Sequence, residues 1–319
     1  MAVLWAVVYG TFGLVCAGSG TPVFQGGELP GGAALDWVVV AVGALAGPAC
    51  AAVARHGPRP APQSLRVLLW ALCGVTVVAA FGLLMDVITL LTGEGVDSPP
   101  ATANRSLAAV GALLLAATAR SDRRPTTAGL APPAPSAAPL RVQLAAVGGS
   151  VAFLPYVVMK LVWAFGGTFA GISGEENIAV SVRNGASGIW LTLESWGLDV
   201  TVLLAALGVF LLWGLVRPWG QVLPRWTLLL SARRVPRWLP LAPALIGSAS
   251  LTLYGVFGLG YCVLAATGVV TMRQGDAHSP GDALLMAWVG MTAFAGYGLA
   301  LTVAARSYWL RSRPVPGPL

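Results

Sequence analysis

Five ionisable side chains lie in or against apolar runs, and their types and spacing are what could do chemistry in this chain. Lys160, in PYVVMKLVWAFGG, is the only lysine. Asp86 is embedded in FGLLMDVITLL, Glu194 precedes Asp199 in WLTLESWGLD, and Asp36 opens LDWVVVAVGAL. An ammonium beside carboxylates in apolar surroundings can hold a charged solute, relay a proton, or lock two helices together. An unpartnered buried charge costs several kcal/mol, so a carboxylate partner for Lys160 is expected. Asp86 is the first choice, as the other charge inside an apolar run, and Glu194 the second. Ionisable residues within a membrane are functional candidates by default, whereas a single pair near the interface can serve only to fix helix register.

Other chemistry is poorly supported. Asp276 and His278 in QGDAHSPGD could act as a metal-binding or acid–base pair, but a Gly-, Pro- and Asp-rich solvated turn is the plainer reading. With two histidines and no CxxC spacing, multi-histidine metal centres and zinc sites are excluded. Cys16, Cys50, Cys73 and Cys262 all sit in apolar segments and read as small hydrophobes. No Walker loop, GxGxxG, nucleophile elbow or paired-aspartate motif occurs, so no catalytic residue, cofactor or metal is assigned.

The elements that must position these residues follow from composition. Of 319 residues, 56% are hydrophobic and 10% charged, and the mean hydropathy is +0.77. Soluble domains carry about 25% charged residues, so too few charges are present to cover a water-facing surface. Apolar runs near the ~20 residues that cross a bilayer recur throughout. The expected fold is all-α, a polytopic helical membrane bundle of about eight transmembrane helices. Candidate spans are 2–19, 35–54, 67–91, 104–119, 144–171, 190–216, 242–271 and 283–305. The fourth is short, and would span by local thinning or by Arg105 reaching for the headgroups. The N-terminus lacks a basic signal-peptide region and reads as the first span. Counted from Leu144 at ~1.5 Å per residue, Lys160 lies about 24 Å across a ~30 Å core. Pro155, five residues earlier, is expected to kink its span.

Fifteen of the nineteen basic residues fall in alternate loops or after the last span, which predicts a plasma-membrane protein with both termini cytoplasmic. That placement, at the ends of apolar runs, argues against nucleic acid as the partner of a +7 chain. The stretch 217–241, with Pro-Arg-Trp twice, reads as a bilayer-surface anchor, or as a site for anionic lipid or a membrane-protein partner.

Internal similarity is the most specific signal. Residues 35–55 resemble 198–217, each opening with Leu-Asp and closing with arginine. YGTFGLVCAGSGT from Tyr9 aligns without a gap with YVVMKLVWAFGGT from Tyr156, and Tyr254 and Phe81 begin related stretches. Four hairpin units are therefore expected, in two parallel four-span halves at 1–124 and 141–313, joined by a Pro/Ala-rich linker at 125–140. Gly10, Gly13, Gly82, Gly166, Gly167, Gly255 and Gly258 recur at motif positions and read as helix-packing contacts. Lys160 occupies the register of Gly13, Gly82 and Gly258.

On Tyr156, Lys160, Trp163-Ala164 and Gly166-Gly167 the chain resembles a group of actinobacterial multipass membrane proteins with Tyr-x-x-x-(Lys/Gly)-Leu-x-Trp-Ala-x-Gly-Gly spans. That resemblance implies the multispan fold and no particular activity. The favoured function is a small-molecule or ion transporter with an outward polar site at Lys160, Asp86, Glu194, Asp199 and Asp36; the alternatives are a non-catalytic scaffold or sensor partnering another membrane protein and, after it, a lipid-acting embedded enzyme. A deep cavity reaching Lys160 favours the first, a tightly packed bundle the second, and a lateral opening the third.

Overall fold

The computed structural model describes residues 1–24, 32–56, 61–91, 93, 95–96, 98–120, 130–131, 133–186, 188–222, 234–313 and 315–316. Residues 125–129 and 132 of the expected linker, and 223–233 of the 217–241 stretch with the first of its two Pro-Arg-Trp sequences, lie outside them.

Within those residues the regular structure is α-helix with very little strand. Six stretches are long and apolar enough to cross a membrane: Ala2–Ser19, Ala34–His56, Gln63–Leu91, Leu140–Ala164, Trp238–Ala266 and Pro280–Arg311. The first and second belong to α1 (Ala2–Ser19) and α2 (Gly32–His56), the last two to α11 (Trp238–Ala266) and α12 (Pro280–Arg311). Leu4, Val78 and Phe257 are 64%, 73% and 70% exposed. A water-facing exterior does not carry such side chains in numbers, whereas lipid tails accept them.

Three expected spans are interrupted rather than continuous. Residues 67–91 divide into α3 (Gln63–Ala79) and α4 (Leu83–Leu91), with Gly82 between them at φ 91°. Gly82 is therefore a break in the helix, not the packing contact its register suggests, and the left-handed backbone is what glycine alone adopts without strain. Residues 144–171 divide into α6 (Leu140–Ala152) and α7 (Leu154–Ala164). Pro155 stands in the first turn of α7, where its missing N–H is no loss. This span stops at Ala164, short of the expected 171, and a hairpin follows. Residues 190–216 divide into α9 (Ile189–Ser195) and α10 (Val200–Val216), with Gly197 at φ 75° in the joint. The expected fourth span falls within α5 (Pro99–Arg120).

Two compact units make up the chain, one of residues 1–87 and 96–127, the other of 88–95 and 128–319. In the first, α1, α2, α3 and α5 close a ring: α1 packs on α2, α2 on α3, α3 on α5 and α5 on α1, with α2 also touching α5. Its core holds Trp5, Tyr9, Val39, Leu69, Leu72 and Leu115. Gly10 faces Gly43, so the backbones of α1 and α2 meet where any side chain would hold them apart. A buried polar chain ties the loop after α1 into this core. Tyr9 donates to Asn104 Oδ1 (3.0 Å), Asn104 Nδ2 to the Val23 carbonyl (3.2 Å), and the Val23 N–H to Asp36 Oδ1 (3.1 Å).

In the second unit α6 packs on α10, α10 on α11, α11 on α12 and α12 on α6, with α10 also touching α12. Gly255 and Gly298 bring α11 and α12 together: a Cβ on either would run into backbone of the other helix. Short strands complete the unit. Leu130–Ala131 (β1) pairs antiparallel with Val315–Pro316 (β4), and Thr168–Phe169 (β2) with Ile172–Ser173 (β3).

Candidate functional site

Lys160 finds its partner within the second unit, and that partner is Asp199. Lys160 Nζ stands 3.5 Å from Asp199 Oδ2, with side chains 18% and 8% exposed. The first-choice partner from sequence, Asp86, is engaged elsewhere: in the first unit Arg105 Nη1 donates to Asp86 Oδ1 at 2.5 Å. Arg105 therefore turns to a buried carboxylate instead of toward headgroups. Two apolar runs each hold one charge because each charge has a partner on another helix.

Asp199 does two things with one carboxylate. It caps α10, its Oδ1 accepting from the N–H of Thr201 (2.7 Å), the Thr201 hydroxyl (2.5 Å) and the N–H of Val202 (3.3 Å). Its Oδ2 meets the ammonium. The cap answers orphan N–H groups at the helix start, and the negative charge suits the positive end of the helix dipole. Asp36 aligns with Asp199 in sequence but lies inside α2, where it holds the Val23 N–H instead of capping.

Lys160 is also aimed at Trp163, one turn along α7, with Nζ 5.4 Å from the ring centroid. The indole N–H of Trp163 donates to the Ile172 carbonyl at 3.0 Å. That bond folds the β2–β3 hairpin over the end of α7, where Met159, Trp163 and Ile172 make a small core against α12 residues Met286 and Val289. The hairpin turns through Ala170 (φ 49°) and Gly171 (φ 74°), two consecutive left-handed residues matching a two-residue hairpin loop.

α8 (Gly174–Arg183) follows directly. Ser173 and Glu176 form a capping box: Ser173 Oγ accepts from the Glu176 N–H (3.2 Å), and Glu176 Oε2 accepts from the Ser173 N–H (2.8 Å) and hydroxyl (3.0 Å). These bonds from the Ser173 N–H and hydroxyl, with a smaller contribution from His278, hold the Glu176 carboxyl below the usual carboxylate range. Two exposed pairs join α8 to the loop before α12, Arg183 with Asp276 at 2.9 Å and Glu176 with His278 at 3.5 Å. The Asp-x-His sequence thus reaches α8 by two separate ion pairs, and the described residues contain no group of three metal-ligating side chains.

Glu194, on α9, joins Asp199, Trp163 and Asn177 around a cavity of about 10 Å³. A water needs at least ~10–15 Å³, so the space beside the pair admits one solvent molecule at most. Asp36 and Asp86 belong to the first unit, and Lys160, Glu194 and Asp199 to the second.

Arg105, Asn104 and the Ser173–Glu176 box did not emerge from the sequence as site elements. The box was legible, since Ser-x-x-Glu is a helix-start signature. The other two depend on which helices become neighbours. Compared with protein-family models, curated proteins and solved structures, the chain matches none.

Proposed function

We propose that the chain is an integral multipass protein of the plasma membrane that acts without catalysis, as a scaffold or sensor partnering another membrane protein. The observation that carries this is how little room the Lys160 site leaves: a 3.5 Å ion pair beside about 10 Å³ of space, walled by Trp163, Glu194 and the α8 residues Gly174, Asn177 and Ile178. A solute path needs room that this pair does not offer, whereas a helix lock needs only the pair.

In this reading the polypeptide crosses the bilayer eight times, with both termini cytoplasmic and the Lys160 end outside. α10 and α5 supply the two crossings beyond the six longer stretches; at ~1.5 Å per residue, 17 residues reach about 26 Å and 22 reach about 33 Å. The two halves are parallel repeats. Support comes from the two helix rings, which have the same neighbours and the same diagonal when α1, α2, α3 and α5 are matched to α6, α10, α11 and α12. The actinobacterial resemblance fits this arrangement. Transport remains the second reading, because a lysine held between Asp199 and nearby Glu194 beneath a cap is also how a closed polar site would look.

Flux measurements separate the two. The chain is reconstituted in proteoliposomes and challenged with proton, sodium and potassium gradients, as wild type and as Lys160→Met. The scaffold reading expects no flux above empty vesicles in either case, together with an unchanged partner profile when the membranes are cross-linked. Gradient-driven flux that Lys160→Met abolishes overturns it in favour of transport.

A further inference from the structure

A large apolar space lies at the opposite end of α10 from the Lys160–Asp199 pair. It is a cavity of about 290 Å³ between α10, α11 and α12, walled by Leu211, Leu215, Trp219, Pro243, Ala244 and Leu301. Its lining is almost entirely apolar. The polar atoms nearby are spoken for: Tyr297 donates to the Gly208 carbonyl at 2.7 Å, and Tyr308 to the Gly220 carbonyl at 3.0 Å. Trp219 is held by stacking on Phe210, with centroids 4.7 Å apart.

A second cavity of about 110 Å³ adjoins it, and Val235 lines both. This one is polar and basic, with Arg234, Arg237, Gln221 and Ser312 in its wall. Arg234 donates to the Pro133 carbonyl (3.0 Å), and Arg237 to Ser312 Oγ (3.2 Å) and the Trp309 carbonyl (3.4 Å). A guanidinium has five N–H donors, so each keeps several to offer. Among the described residues neither is paired with a carboxylate. The walls are braced. Gln221 exchanges two bonds with the Ser136 backbone (3.2 and 3.0 Å), and Arg311 donates to the Ser136 carbonyl and, at 2.5 Å, to the Leu215 carbonyl at the end of α10.

We propose that these joined cavities are a binding site for an acidic phospholipid, with acyl chain in the larger space and phosphate between Arg234 and Arg237. Size and charge both point that way. An apolar cavity of ~150 Å³ takes up benzene, so 290 Å³ accommodates roughly a dozen carbons of a chain. The guanidiniums of Arg234 and Arg237, in the wall of the adjoining cavity and without a carboxylate among the described residues, match a phosphodiester, which accepts charge-assisted bonds in the geometry that arginine presents. A peptide or a soluble metabolite would need polar groups deeper in the larger cavity. The site requires the chain to be embedded in a membrane, and it is indifferent to whether the protein is a scaffold or a transporter.

The test uses the full chain in an uncharged detergent, with dioleoyl phosphatidylglycerol, dioleoyl phosphatidylcholine and inorganic phosphate as separate probes. Native mass spectrometry and thermal melting are read for each. One phosphatidylglycerol per chain is expected, bound about tenfold more tightly than phosphatidylcholine, a ratio of the size one good charged contact provides. Arg234→Gln with Arg237→Gln should remove that preference, and Ala244→Phe, which fills the larger cavity, should weaken both lipids. Arg237 also braces Ser312, so Arg234→Gln alone serves if the double variant misfolds; it should reduce the preference in part. Equal binding of the two lipids, an undiminished preference in the arginine variants, or stabilisation by phosphate alone equal to that by phosphatidylglycerol overturns the proposal. Alkaline-carbonate extraction of membranes, read separately, reports whether the chain is embedded at all.

Discussion

A carboxylate and a guanidinium at 10% and 12% exposure, Asp86 and Arg105, form an ion pair almost wholly withdrawn from solvent. Removing one partner of a buried pair strands the other charge and costs ~3–5 kcal/mol, whereas replacing both by apolar groups of similar size is often neutral. Asp86→Asn or Arg105→Gln should therefore lower the melting temperature in detergent sharply. Asp86→Leu combined with Arg105→Met should recover most of the loss, and failure of the double variant to recover would assign the pair a role beyond mutual neutralisation. Asp86 was recognisable in sequence as a charge that needed a partner. The identity of the partner was not, because Lys160, Arg105 and every other candidate lie far away along the chain, and only helix neighbours decide among them. The same limit hid Asn104. Its burial at the meeting point of Tyr9 and Val23 has no local signature.

At the level of elements, apolar periodicity located the helices but passed over their interruptions. Windows long enough to reveal a span average over the few residues at Gly82, Phe153 or Gly197 where the chain breaks. Pro155 was a visible warning in one case. In the others a glycine among many glycines carried no distinguishing mark until its backbone angle was known. α8 offers a test of an element that is held locally. Hydrogen bonds from Ser173 depress the Glu176 carboxyl, so the stabilisation they give is fully present above the unfolded carboxylate value of about 4.3. It is lost as the pH falls through the lower folded value. Hydrogen exchange of the first-turn amides of α8, corrected for intrinsic rates, should accelerate as the pH falls below about 4. Glu176→Gln should exchange faster at neutral pH and show little of that pH dependence. An identical profile in the variant would mean that the box does not hold the helix start.

The whole molecule was legible in class and less so in plan. Sparse charge and recurrent apolar runs pointed to an all-helical, membrane-crossing chain, and the six long apolar stretches agree. The aligned Tyr9 and Tyr156 stretches suggested two related halves, yet which helix packs on which is a matter that no alignment of two short segments contains. If each ring is complete in itself, cutting the chain within the 125–140 stretch and expressing residues 1–127 and 128–319 as separate polypeptides should leave each with its helical content and a protease-resistant core. Collapse of either piece on its own would show that the rings are not self-sufficient. The closed ring around Gly10 and Gly43 has one more consequence. If the faces that α1, α2, α3 and α5 bury against each other suffice for folding, a gene specifying only that much would encode a stable product. On the proposed reading of two parallel repeats, joining two such genes end to end would pass through no ancestor without a core, and Lys160 would be a glycine exchanged in the second copy.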